Sequence, residues 1–155
     1  MDNPEIAAVF KRIAILAEIK GEDRFKVSAY QRAAESIAAM TEDLSSLDEK
    51  ELVALPGIGK AIASKIHELT NTGKLDFLEK LEAEIPAGLL DLIAIPDVGP
   101  RKATLFWKEL NITSVDELEQ AAREGKLSAL PGLGEKSEAR ILMGIETLKG
   151  TRKAH

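Results

Sequence analysis

The sequence predicts an all-α protein made of two small helical subdomains in series. Three observations lead there. Of 155 residues 45% are apolar but only 4% aromatic, and Ala, Leu and Ile carry the apolar load, a balance that favours packed helices over sheets. Apolar residues recur at three- and four-residue spacing, with no stretch alternating at the period of two that a strand requires. Helix-opening and helix-closing residues punctuate the chain throughout.

Each element follows from these signals. Asn3-Pro4-Glu5 opens the first helix, with Asn as N-cap, Pro at the first helical position and Glu in the first turn. Ile6, Phe10, Ile13 and Leu16 form its stripe and Gly21 closes it. A second helix is expected from about Arg24 to Met40, with Phe25, Ala29, Ala33 and Ile37 on one face. Ser46-Leu-Asp-Glu49 reads as a capping box for a short helix over 48–54. The next runs from Gly59 to Thr72, striped by Ile62, Ile66 and Leu69 and stopped by Gly73, and a fifth spans 75–84. Pro86 marks the boundary. The expected domains are therefore 1–84 and 85–150, with a tail at 151–155. In the second domain helices are expected at 87–94, 100–110, 115–124 and 135–148, the third opened by a capping box at Ser114-Val-Asp-Glu117 and ended by Gly125. The count predicted is seven to nine.

Composition narrows the function classes. The absence of cysteine excludes disulfides, zinc–cysteine sites and thiol chemistry. His67 and His155 lie far apart without ligand-like neighbours. No apolar run matches a bilayer and the N-terminus is no signal peptide, so a cytoplasmic protein is expected and a membrane partner is not. Net charge is −5, divided as 11 basic and 16 acidic residues in 1–84 against 10 of each in 85–155. Any polyanion must then be held by local clusters and backbone dipoles rather than by a global field.

One pattern occurs three times: Leu55-Pro-Gly-Ile-Gly59-Lys-Ala-Ile-Ala63, Ile95-Pro-Asp-Val-Gly99-Pro-Arg-Lys-Ala103 and Leu130-Pro-Gly-Leu-Gly134-Glu-Lys-Ser-Glu-Ala139. Proline ends an incoming apolar helix, and the next residue takes a turn at positive φ, which glycine does freely and aspartate tolerates. The aliphatic residue plugs the core, the second glycine opens the outgoing helix, and a small alanine lets the two helices pack closely. Free N–H groups at a helix N-terminus attract an anion, and a phosphate fits. The candidates are Gly57, Gly59 and Lys60 in the first hairpin, Gly99, Arg101 and Lys102 in the second, and Gly132, Gly134 and Lys136 in the third. Asp97 and Glu135 work against a phosphate, so the expected order of strength is first, third, second.

These segments resemble the helix-hairpin-helix motif. With Phe25-Lys-Val-Ser-Ala-Tyr30-Gln-Arg-Ala-Ala, their order over about residues 2–148 resembles the N-terminal part of bacterial and archaeal family X DNA polymerases. There a lyase-like "8-kDa" domain precedes hairpin-bearing fingers. The resemblance implies non-sequence-specific binding to gapped, nicked or abasic DNA in repair, by a monomer associated with the nucleoid. It implies a phosphate pocket at Lys26 and Tyr30, which share a helical face. It also implies a Schiff-base nucleophile at Lys65, for a metal-independent 5′-deoxyribose-phosphate lyase; a lysine beside an apolar stripe suits that role. This chain departs from the pattern at Phe25, in place of a histidine, and at Ala61, in place of a lysine. Na⁺ or K⁺ is implied at main-chain carbonyls of Val53, Leu55 and Ile58, of Ile93, Ile95 and Val98, and of Ser128, Leu130 and Leu133. The family's Asp-x-Asp palm has no counterpart, so no polymerase activity is expected. Three readings stand: a DNA-binding module, a lyase on the same scaffold, and a protein-interaction module that has lost DNA binding.

Overall fold

The computed structural model describes the backbone of residues 1–153 and the side chains of residues 1–150. It is all-α, with no strand among the described residues. The chain divides into two compact units, Met1–Glu84 and a second from Ile85 on.

The first unit holds α1 (Asn3–Lys20), α2 (Arg24–Ala39), a 3-10 turn at Leu44–Ser46, α3 (Glu49–Val53), α4 (Lys60–Thr72) and α5 (Asp76–Glu84). Its core is built from Ile6, Phe10, Ile13, Leu16 and Ile19 of α1, Ala33 and Ile37 of α2, and Leu44, Leu52, Ile66, Leu69 and Leu81. Three expectations need correction. The N-cap of α1 is Asp2, not Asn3. Asp2 accepts from the Glu5 N–H at 2.9 Å and Glu5 accepts from the Asp2 N–H at 3.3 Å. Only Asp2 has a glutamate at the position that completes this reciprocal box. Asn3 is freed to pin the loop after α2: its side-chain amide donates to the Met40 and Glu42 carbonyls and its oxygen accepts from the Leu44 N–H. Likewise the cap of α3 is Asp48, boxed with Glu51, rather than Ser46. Finally, Phe25 is 84% exposed. Residues four apart advance by about 40° more than a full turn, so the stripe drawn back from Ile37 drifts off the inner face. Val27, Ala33, Ala34 and Ile37 are what α2 buries.

The second unit holds α6 (Gly88–Ile93), α7 (Pro100–Leu110), α8 (Val115–Arg123) and α9 (Glu135–Lys153). Phe106, Leu89, Leu92, Leu118, Leu127, Ile141 and Ile145 form its core. Gly88 lies against the Thr113 carbonyl, where any Cβ would collide. Lys149 of α9 joins Asp116 and Glu119 of α8 at 2.8 and 2.6 Å. Ser114 caps α8, but the Glu117 carboxylate accepts from the N–H and hydroxyl of Thr113 and the Ser114 hydroxyl; these bonds hold its carboxyl below the usual range. The expected tail instead continues α9 through Lys153, and residues 154–155 lie outside the described residues.

Candidate nucleic-acid interface

The three repeats fold into one backbone shape. In Leu55–Ile58, Ile95–Val98 and Leu130–Leu133 the first carbonyl accepts from the fourth N–H, at 3.2, 3.0 and 3.2 Å. Proline stands second, and the third residue has φ 79° at Gly57, 72° at Asp97 and 79° at Gly132, the pattern of a type II turn. Gly57 is doubly constrained, because a Cβ there would lie 2.6 Å from Ser36 Oγ.

The second glycine is a different case. Gly59 (φ −84°, ψ 173°) and Gly99 (φ −102°, ψ −176°) are helix N-caps in extended backbone that any residue can adopt. A Cβ at Gly59, Gly99 or Gly134 would meet nothing within 4 Å. Neither conformation nor internal packing uses their small size. The first bond into α4 is from the Ala63 N–H to the Gly59 carbonyl, so the amides of Gly59, Lys60, Ala61 and Ile62 have no acceptor among the described residues. The amides of Gly134, Glu135, Lys136 and Ser137 open α9 in the same way. The second hairpin has one fewer, since Pro100 carries no N–H.

The third hairpin departs from the repeat. Ile58 and Val98 are buried plugs, whereas Leu133 is half-buried. Ala63 and Ala103 are fully buried, but Ala139 is exposed and Glu138 stands at the equivalent place. No helix leads directly into this turn. Instead the Glu138 carboxylate accepts from the N–H groups of Leu127 and Ser128, both at 2.9 Å. A carboxylate thus satisfies the incoming limb where helix-on-helix contact does so elsewhere, and no small residue is needed.

The first hairpin opens into a cleft of about 1010 Å³ between α2, α4 and the start of α5. It brings together Lys26, Tyr30, Gly57, Gly59, Lys60 and Lys65. Tyr30 lies between Phe10, on which it stacks (6.5 Å), and Phe77, whose ring is tilted against it (5.7 Å). Lys65 is half-buried, its Nζ lying 4.9 Å from the centre of the Phe77 ring and 5.9 Å from that of Tyr30. Burial, with a smaller effect of Glu22, raises the Tyr30 phenol above its ordinary value. The cleft also holds Arg32, Ser36 and Phe77, which the sequence reading does not single out. Arg32 has no motif to mark it, and Phe77 comes from a separate helix. Its charged lining residues are Lys26, Arg32, Lys60 and Lys65 against Glu22 and Glu35, a local cationic excess in a unit whose total is acidic. Ala61 also lines it; Phe25 does not.

In the second hairpin Arg101 is exposed, while the Lys102 ammonium donates to the Asp97 carbonyl at 2.8 Å. The Asp97 carboxylate pairs with Arg140 of α9 at 3.3 Å. The side chain that pairs with this carboxylate therefore comes from α9 and not from the hairpin itself. Lys136 in the third hairpin is exposed beside Glu135.

The carbonyls named for a monovalent cation keep lone pairs free. Those of Val53, Ile58, Ile93, Val98, Ser128 and Leu133 accept no hydrogen bond among the described residues, and those of Leu55, Ile95 and Leu130 accept one turn bond each, leaving a lone pair. No helix among the described residues is long and apolar enough to cross a membrane.

Comparison with known proteins adds two family matches. Residues 1–75 match a helix-hairpin-helix domain and residues 89–147 a SAM-like helix-hairpin-helix tandem. The DNA polymerase/3′-5′ exonuclease PolX of Bacillus subtilis is 36% identical over 145 residues, 94% of this chain and 25% of that protein. DNA polymerase lambda of Arabidopsis thaliana is 32% identical over 133 residues, 85% of this chain and 24% of that protein. The chain spans about a quarter of the length of these relatives.

Proposed function

Because this chain is a tandem of helix-hairpin-helix domains related to the N-terminal region of family X DNA polymerases, we propose that it binds DNA without reading its sequence, by gripping backbone phosphates. The observation that carries this reading is the first hairpin. Unsatisfied amides at Gly59, Lys60 and Ala61 open into the same cleft as Lys26, Arg32, Lys60 and Lys65. A phosphate there meets backbone donors, a helix dipole and cations together, and contacts to phosphates carry no sequence information of their own. Gly134 and Lys136 offer the same on a smaller scale in the third hairpin. Na⁺ or K⁺ on the free carbonyls beneath each turn would add a fixed positive charge next to the phosphate.

The DNA favoured by this arrangement is gapped, nicked or abasic, because the cleft is a local concavity suited to a strand end rather than an extended basic face. The working state is a monomer, and its setting is the nucleoid. A second reading, 5′-deoxyribose-phosphate lyase chemistry, is supported by Lys65 lining the same cleft as Lys26, Tyr30 and Lys60.

The test is a salt titration of binding to gapped and intact duplex. Expected are affinities indifferent to sequence, tighter on gapped DNA, with log K falling by about 0.9 per phosphate contact for each tenfold rise in salt. No binding at low salt, or affinity flat across salt, overturns the proposal and favours a protein-interaction module.

A further inference from the structure

We propose that Asp97 is an internal competitor for Arg140: its carboxylate occupies a guanidinium that would otherwise take a DNA phosphate at the second hairpin. This rests on the phosphate-binding reading above.

The second hairpin has the backbone of a phosphate clamp. Its turn matches the first, with φ 72° at Asp97 against 79° at Gly57, and Gly99 leaves the same open approach. What differs is charge. At the position where the other two turns carry a glycine, this one carries a carboxylate, held at 3.3 Å from Arg140 Nε. Arg140 reaches it from α9, whose Gly144 one turn later seats against Pro96, so closely that a Cβ would lie 3.2 Å from the proline ring. The tip and the arginine are thus held side by side by packing, and the contact is no chance meeting of loose side chains. The Lys102 ammonium is drawn to the Asp97 carbonyl as well. By contrast Lys60 and Lys136, at the other hairpins, enter no ion pair among the described residues.

An exposed pair of this kind is weak in itself, since water and salt screen it. Its effect is on the ligand. The carboxylate repels an incoming phosphate and neutralises Arg140, so binding a phosphate here must displace one anion with another, and no net counterion release is gained. A hairpin with the shape of a clamp is therefore the one least used, and the second unit grips DNA through the third hairpin.

The test is a double-mutant cycle of Asp97→Asn and Arg140→Ala, read by salt-dependent DNA binding of the full chain. Asn tolerates positive φ, so Asp97→Asn keeps the turn, which a thermal melt checks. Asp97→Asn is expected to steepen the slope of log K against log salt by about 0.9, an eightfold gain for each tenfold drop in salt. Arg140→Ala alone is expected to leave the slope unchanged, and in the double variant to abolish the gain. A folded Asp97→Asn that binds no better, or an Arg140→Ala that already loses a contact in the parent, overturns the proposal. If Asp97→Asn does not fold, Arg140→Ala still decides: a flattened slope refutes masking and an unchanged one supports it. Absence of DNA binding by the parent would be a failure of the function itself, distinguishable from these.

Discussion

Gly59→Val separates the fold from its use. Gly59 sits at φ −84°, ψ 173°, which valine adopts freely, and an added Cβ meets nothing within 4 Å. The cost to folding is limited to a poorer N-cap, up to about 1 kcal/mol, or roughly 4–8 °C in melting temperature for a unit of this size. Binding should respond far more. The branched side chain stands where a phosphate must approach the amides of Gly59, Lys60 and Ala61, and a hydrogen bond to a charged group contributes about 1.5–3 kcal/mol. Losing one such bond lowers DNA affinity by a factor of about 10–150. Fluorescence anisotropy on gapped DNA measures this, beside a thermal melt. Gly99→Val is the control: its backbone and open surroundings are alike, but its hairpin lacks the Pro100 amide and carries Asp97, so the affinity loss should be smaller. Equal losses in two folded variants, or a folded Gly59→Val that binds normally, would refute the argument.

Three further outcomes are expected. Gly57→Ala should destabilise by about 1–2 kcal/mol from its positive φ alone and more from the Ser36 contact, and Ser36→Gly should recover only the second part; equal urea midpoints for Gly57→Ala and Gly132→Ala would remove Ser36 from the account. The single tyrosine should titrate above 10.0 by ultraviolet absorbance in the native chain and near 10 in denaturant. Because its folded value is the higher, stability should fall as pH rises from the unfolded through the folded value; a native midpoint below 10 would contradict the burial of Tyr30. With 5′-deoxyribose-phosphate DNA at concentrations that saturate both proteins, a borohydride-trapped adduct lost in Lys65→Ala assigns the nucleophile; an adduct that survives assigns it elsewhere, and none in the parent leaves Lys65 as a cation of the cleft.

What the sequence makes legible is whatever is encoded within a few residues. The Pro-Gly and Pro-Asp turns, the helix they open and the glycines that close α1 and α4 all depend on local backbone chemistry. Local rivals are harder: Asp2 and Asn3 are both good caps, and the choice rests on which has a glutamate in register. Side-chain partners distant in sequence are not legible at all. Arg140 meets Asp97, Glu138 replaces a helix, and Phe77 and Arg32 complete the cleft only because packing carries them there. Phe25 shows the limit of periodicity, since an i+4 stripe followed too far leaves the face it began on.

The cationic lining of the cleft inside an acidic unit has a kinetic consequence. At physiological ionic strength a charge is felt over about 8 Å, so the lysines of the cleft cannot draw DNA from a distance, and the net −5 of the chain supplies no attraction in their place. Encounters are then unsteered, and association should proceed at about 10⁵–10⁶ M⁻¹s⁻¹ rather than near the diffusion limit. If a strand end is the ligand, as proposed, sliding along intact duplex, which needs a continuous attractive face, would give way to collisions that hold only where that end enters the cleft. Residence time would then select the target, and search speed would not.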